Sequence, residues 1–174
     1  MVDAHTASHR RRRILWVATE ETIVWAPEVA KLIEANATRL GLKSIKALSG
    51  DSRKLTERYE ASSFDRILVD APCSGLGVIR RKPEIKYKEY TNDMELLPKK
   101  QLAILSASSS YVKPGGTLVY STCTINPREN EQVVETFLKR NRSFKMEEKT
   151  LLMPSTDKTD GFFICVMTRS ENLI

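Results

Sequence analysis

Apolar positions along the 174-residue chain fall in short blocks whose period switches between about 3.6 and about 2, the alternation of helices and strands. Val29, Leu32, Ile33, Ala37 and Leu40 recur at near-helical spacing behind Pro27, whose missing N–H costs nothing in a first turn. Gly41 stands where that helix is expected to stop. Residues 45–48 read as a short strand ending at Gly50-Asp51, and residues 65–70 as a buried strand that delivers Asp70 at its carboxyl end. A loop rich in Pro, Gly and basic residues runs to about Asp93. Residues 94–111 then predict a helix closed by Lys113-Pro114-Gly115-Gly116. The strand over residues 117–120 leads directly into Ser121-Thr122-Cys123-Thr124. The next helix is expected to start with Asn126 as N-cap and Pro127 in the first turn, with Glu129 and Glu131 facing the positive end of its dipole. Val133, Val134, Phe137 and Leu138 form its buried face, and residues 161–167 a final strand.

This order predicts an α/β fold with a doubly wound sheet. Ligands of such sheets bind in the crevice beyond the carboxyl ends of the strands. Asp51, Asp70, Cys73 and Cys123 each fall just after a predicted strand, so they are expected to converge on one crevice.

Composition narrows the class without changing the fold. With 41% hydrophobic and 29% charged residues, the chain suits one soluble domain and leaves little room for two. Its apolar runs are strand-length, and residues 1–13 lack the apolar stretch of a secretory signal. No membrane is expected as a partner, and the cytoplasm is the expected compartment. Three cysteines at wide spacing make neither a disulfide framework nor a zinc site, and no metal is expected. The net charge of +6 is modest but unevenly placed. Arg10 to Arg13 form one basic block; Arg80, Arg81, Lys82, Lys86 and Lys88 form another. Such clusters suit a phosphate-rich partner, with a solvated surface as the equal alternative.

Asp70-Ala71-Pro72-Cys73-Ser74-Gly75 and Tyr120-Ser121-Thr122-Cys123-Thr124 resemble the two signature motifs of the RNA cytosine-5 methyltransferases that use S-adenosylmethionine. The resemblance continues through Arg80-Arg81-Lys82-Pro83-Glu84-Ile85-Lys86, Lys113-Pro114-Gly115-Gly116, Glu129-Asn130-Glu131 and Asp160-Gly161-Phe162-Phe163-Ile164. It implies a Rossmann-like methyltransferase sheet, S-adenosylmethionine as cofactor and RNA as partner, specifically small-subunit ribosomal RNA; no protein partner is inferred. It also implies that Cys123 attacks carbon 6 of cytosine while Cys73 assists release of the methylated base, a case of covalent catalysis. Asp70 would lie against the methyl donor and target base, and Asp51 against the adenine amino group. The competing role for Asp51 is a local cap ahead of Arg53 and Leu55. Arg80, Arg81 and Lys82 would guide the RNA backbone from the rim of the crevice. A free thiol is only about 3% thiolate at pH 7, so an activator of Cys123 is expected among loop N–H groups or nearby cations. Cys165 carries no motif and reads as a buried strand residue.

Residues 1–26 depart from the family pattern. The donor loop of the family typically reads Asp-Ala-Cys-Ala-Ala-Pro-Gly-Gly-Lys-Thr. Here Val2-Asp3-Ala4 fits the opening, but His5 to Arg13 do not, and the first glycine is Gly41. The acidic residue for the ribose hydroxyls is missing near Val24 or Trp25, and the family's motif lysine has no clear counterpart. A reading-frame change over residues 5–26 is one origin, and loss of the first strand the other. The chain therefore divides into a disrupted or truncated remnant of the first strands, residues 1–26, and a catalytic domain, residues 27–174. The RNA-binding domain that precedes the catalytic domain in the family is expected to be absent. The alternative to an active enzyme is a catalytically inactive RNA-binding remnant.

Overall fold

The computed structural model describes residues 2–6, 12–18, 27–51, 53–54, 59–87 and 93–171. Among them seven strands form one sheet: β1 (Val2–Thr6), β2 (Arg12–Ala18), β3 (Ile45–Ala47), β4 (Phe64–Asp70), β5 (Val112–Thr122), β6 (Phe144–Leu152) and β7 (Phe162–Arg169). Their spatial order is β3-β1-β2-β4-β5-β7-β6. Strands β2, β4 and β5 are mutually parallel, while β1 and β7 run antiparallel to both of their neighbours. The carboxyl ends of β3, β2, β4 and β5 therefore share one edge of the sheet, as the alternating pattern requires. Among the described residues four α-helices accompany the sheet: α1 (Pro27–Arg39), α2 (Asp93–Ser109), α3 (Glu131–Arg140) and the one-turn α4 (Pro154–Asp157). Helix α2 packs on β4 and β5, and α3 packs on α2 and β6.

The core lies under the parallel strands. Leu15 and Val17 of β2, Phe64, Ile67 and Val69 of β4, and Leu118 and Tyr120 of β5 are all buried. They meet Leu105 of α2, Phe137 of α3, and Phe163 and Met167 of β7. Each such large side chain contributes about 1.5–3 kcal/mol by leaving water.

Three elements differ from the sequence pattern for identifiable reasons. Lys113 to Gly116 lie within β5 rather than ahead of it: Phe64 pairs with Val112 and Arg66 with Thr117, so the segment bulges between two paired stretches. Gly115, at φ 73°, supplies the left-handed residue that the bulge needs. Helix α3 starts four residues beyond Pro127, because Asn126 O accepts the Glu129 N–H and Pro127 O accepts the Gln132 N–H in a separate turn. Asn126 caps this turn, its Oδ1 accepting the Arg128 N–H, and Glu129 points inward instead of along the helix dipole. Strand β6 was not apparent in the sequence, since its residues 145–149 are exposed and mostly charged. It lies at the sheet edge, where charge discourages further pairing.

The amino-terminal residues occupy unexpected places. The strand beside β4 is β2, while Val2-Asp3-Ala4 runs antiparallel between β2 and β3. Arg13, from the first basic block, is built into the sheet: its N–H donates to Asp65 Oδ2 at 2.7 Å and its guanidinium sits 4.7 Å from the Phe64 ring centroid. Arg10 and Arg11, and residues 19–26, lie outside the described residues. Helix α1 ends as expected, with Gly41 at φ 68° and the Leu42 N–H donating to Ala37 O at 2.8 Å. Of its apolar positions Ala37 is buried and Ile33 half-buried, but Leu32 and Leu40 are exposed. The three-residue β3 that α1 packs against is too short to cover that face.

Candidate active site at the strand ends

Register brings the two cysteine motifs together. Asp70 pairs with Ser121 at the carboxyl ends of β4 and β5, and each chain then turns off the sheet. Cys73 follows the first strand and Cys123 the second, and their Sγ atoms stand 3.3 Å apart although 50 positions separate them. Cys73 is buried and Cys123 half-buried.

The two thiols are electrostatically unequal. The Cys123 thiol is pushed below its ordinary range by the hydrogen bond from Cys73, against burial and the Asp70 carboxylate, with help from its own backbone N–H and the Lys82 ammonium. The Cys73 thiol is pushed far up, first by donating that hydrogen bond, then by burial and by the charge on Cys123. Both shifts favour the proton on Cys73 over Cys123, so of the two thiols Cys123 is the readier to ionise. Cys165, buried in β7, is pushed up to about 11. Site-resolved alkylation with iodoacetamide should accordingly modify Cys123 first. Its rate should rise through a midpoint below the ordinary thiol value of about 8.5, while Cys73 and Cys165 stay protected in the folded chain at pH 7. Equal rates at Cys123 and Cys165 would contradict this asymmetry.

A buried polar cluster holds the loops in place. Glu129 is fully buried, and its carboxylate accepts four hydrogen bonds. Ser74 donates its backbone N–H at 2.9 Å and its hydroxyl at 2.6 Å, Gln101 Nε2 donates at 3.0 Å and Asn126 Nδ2 at 2.9 Å. Gln101 Nε2 also donates to Pro72 O at 2.8 Å. Since the Ser74 hydroxyl proton goes to Glu129, Thr124 Oγ1 is the donor in the 2.8 Å contact with Ser74 Oγ. Asn130 secures both flanks of Cys123: its Oδ1 accepts from Thr122 Oγ1 at 2.6 Å and its Nδ2 donates to Thr124 O at 2.9 Å. Below them Gly77 and Gly161 meet back to back, the Gly77 N–H donating to Cys123 O at 3.0 Å and the Gly161 N–H to Gly77 O at 2.8 Å.

The other expected site residues are distributed around this centre. Asp70 is half-buried, accepts from Ser121 Oγ at 3.2 Å, and burial pushes its carboxyl up. Asp51 lies beyond β3, three strands from β4, and forms an ion pair with Arg53 while its Oδ1 accepts the Arg53 N–H at 2.9 Å. The Arg53 hydrogen bond lowers its carboxyl to about 2. The structure thus places Asp51 in the local turn. Arg81 and Arg80 both pair with Asp160, the latter at 3.5 Å, which ties the basic loop to the start of β7. Lys82 is exposed and close enough to favour the Cys123 thiolate.

Sequence reasoning missed Glu129 as a site residue, together with Gln101 and Asn130. The Glu129-Asn130-Glu131 resemblance was the available signal, but no local rule says that such a carboxylate faces inward. Tyr87, 84% exposed beside Lys86, is a further aromatic on the basic rim. Among the described residues no group of His, Cys, Asp and Glu could hold a metal, and no helix is long and apolar enough to cross a membrane.

Comparison with known proteins gives the family and the fold. The family described as 16S rRNA methyltransferase RsmB/F matches residues 13–168. The chain is 46% identical over 156 residues to the probable ribosomal RNA small subunit methyltransferase B of Bacillus subtilis, covering 80% of this chain and 35% of that protein. It is 38% identical over 145 residues to the ribosomal RNA small subunit methyltransferase B of Vibrio vulnificus, covering 80% and 34%. Among solved structures, NSun6 from Pyrococcus horikoshii with SFG superposes at a TM-score of 0.72 and 27% identity, covering 92% of this chain and 48% of that one. The chain spans about a third of the length of these curated relatives. Its fold is the Rossmann-like fold of S-adenosylmethionine-dependent methyltransferases. With its profile matched over most of its length, the chain belongs to the 16S rRNA methyltransferase RsmB/F family.

Proposed function

We propose that this chain carries the catalytic centre of an S-adenosylmethionine-dependent RNA cytosine-5 methyltransferase acting on small-subunit ribosomal RNA, with Cys123 as nucleophile and Cys73 as its partner in release. The observation that carries this reading is the 3.3 Å thiol pair beyond the ends of β4 and β5, in which Cys123 is the readier to ionise. Carbon 5 of cytosine is a poor nucleophile until a thiolate adds to carbon 6 and breaks the ring's aromaticity. Cys123 Sγ supplies that thiolate, and Lys82 and the Cys73 S–H stabilise it beforehand. When bound, S-adenosylmethionine supplies an activated methyl group for carbon 5. Once Cys123 Sγ is spent in a carbon–sulfur bond, the anion that kept the proton on Cys73 is gone. Cys73 is then free to lose its own proton to solvent, and its thiolate takes the carbon 5 proton; the electron pair of that C–H bond re-forms the 5,6 double bond as the carbon 6–sulfur bond breaks, restoring the ring and the Cys123 thiolate.

Of the two carboxylates expected to hold the donor, Asp70 fits best. It is partly desolvated and, among the described residues, accepts one hydrogen bond, so it retains capacity for an ammonium or amino group. Asp51 would first have to release Arg53. Lys82, with Arg80, Arg81 and the exposed Tyr87, forms a rim suited to an RNA backbone and a stacked base. The same reading takes residues 27–174 as the catalytic domain and residues 1–26 as the disrupted remnant of its first strands, without a glycine before Gly41.

Calorimetric titration with S-adenosylmethionine tests the cofactor assignment. Micromolar binding is expected, weakened about 10- to 100-fold in Asp70→Ala, the value of one hydrogen bond to a charged group. No heat on a chain that melts cooperatively would contradict the assignment and leave salt-sensitive RNA binding by an inactive remnant as the reading.

A further inference from the structure

We propose that Glu129 is a positioning residue for the thiol pair: its buried carboxylate clamps the loop of residues 72–74 so that Cys73 Sγ stands against Cys123 Sγ. The proposal rests on the reading of the two cysteines given above.

Cys73 sits between two residues that this cluster fixes. On one side Gln101 Nε2 donates to Pro72 O at 2.8 Å, and Gln101 is itself bound to Glu129 at 3.0 Å. On the other side, Ser74 gives Glu129 both its backbone N–H and its hydroxyl. The fourth donor, Asn126 Nδ2, belongs to the loop that follows Cys123. A single side chain thus binds α2, the loop after β4 and the loop after β5. Among the described residues its four donors are all uncharged, so Glu129 holds together loops that each carry one cysteine without an ion pair. Tyr120 extends the same brace, its hydroxyl donating to Glu129 O at 2.7 Å.

The sign of a pH shift separates this role from its alternatives. The groups that set the Cys123 thiolate are Cys73 from the loop after β4, Asp70 at the end of β4, Lys82 on the rim and the Cys123 backbone N–H. Glu129→Gln keeps size and shape but removes one negative charge and leaves at least one donor facing another donor. Loss of charge alone would make the Cys123 thiolate easier to form and move its titration to lower pH. Loosening of the loop removes the hydrogen bond from Cys73 and moves it to higher pH.

The experiment follows the rate of iodoacetamide alkylation at Cys123 against pH, resolved by peptide mass spectrometry, on the full chain and its variants. Glu129→Gln is expected to raise the Cys123 midpoint by about one pH unit, making alkylation about tenfold slower at pH values well below the wild-type midpoint. In a Cys73→Ala background, where the hydrogen bond is already gone, Glu129→Gln should raise it no further. An unchanged or lowered midpoint in Glu129→Gln, or an equal rise in the Cys73→Ala background, overturns the proposal. Should Glu129→Gln not melt cooperatively, Ser74→Ala decides in its place, with a smaller rise expected and an unchanged or lowered midpoint contradicting it. A wild-type Cys123 with an ordinary thiol midpoint removes the reading of the pair and this proposal together. A lowered wild-type midpoint that Glu129→Gln leaves in place removes only the role of Glu129.

Discussion

Replacing Cys123 with alanine is expected to abolish methyl transfer to RNA, a loss of at least about 10⁴-fold, as when a covalent nucleophile is removed elsewhere. The size of the effect follows from the chemistry: without a bond to carbon 6 the ring stays aromatic and carbon 5 cannot accept the methyl group. Binding should be nearly untouched, because Cys123 is half-buried and the loops around it are held by Asn130 and Glu129 rather than by its sulfur. S-adenosylmethionine affinity within about twofold of wild type, with no methylated product, is therefore the expected pair of results; calorimetry and transfer of a radiolabelled methyl group measure them. Retained transfer at more than a few per cent of the wild-type rate would mean that another group adds to the base.

The second large effect is structural. A Cβ on Gly77 would lie 2.6 Å from the carbonyl carbon of Gly161 and 2.8 Å from Cys123 O, with Gly161 O closer still. All three are backbone atoms, so no side chain can swing aside. Gly77→Ala should therefore force apart the loop after β4, the loop after β5 and the start of β7. The overpacking costs about 1–3 kcal/mol, a fall in Tm of about 3–10 °C for a chain of this size. The hydrogen bond from the Gly77 N–H to Cys123 O breaks at the same time, so Cys123 should also lose its alkylation advantage over Cys165. A thermal melt together with the alkylation profile reports both effects. A variant with wild-type Tm and wild-type Cys123 reactivity would show that the two glycines are not in contact.

The parts of this molecule that were legible in the sequence are those encoded by neighbouring residues. The buried run of β4 ends at Asp70, the run of β5 leads into Cys123, and the proline and glycine signals around them mark where each chain leaves the sheet. Those local patterns sufficed to bring Asp70, Cys73 and Cys123 to one edge, and the family resemblance supplied roles for them. Glu129 was illegible for the opposite reason. Its partners Gln101 and Ser74 lie 28 and 55 positions away, and its place three residues after Asn126 already satisfied a helix-start pattern. The true turn at Asn126 uses the same residue types as a helix cap, so composition could not separate them. Strand β6 escaped notice because it has water on most of its length, which removes the apolar alternation that reveals a strand. Arg13 shows the converse: four consecutive arginines read as a surface block, yet Arg12 and Arg13 belong to β2 and the latter lies over Phe64.

The most direct test of the account is the fate of a Cys73→Ala chain incubated with small-subunit ribosomal RNA and S-adenosylmethionine. Without Cys73 to assist release, a covalent protein–RNA adduct should accumulate on denaturing gels. After nuclease digestion, mass spectrometry should find a methylated cytidine nucleotide on the peptide that contains Cys123. No adduct from a folded Cys73→Ala chain that binds S-adenosylmethionine, or an adduct mapped to any other residue, would contradict the assignment of Cys123 as nucleophile and Cys73 as the group that frees the product.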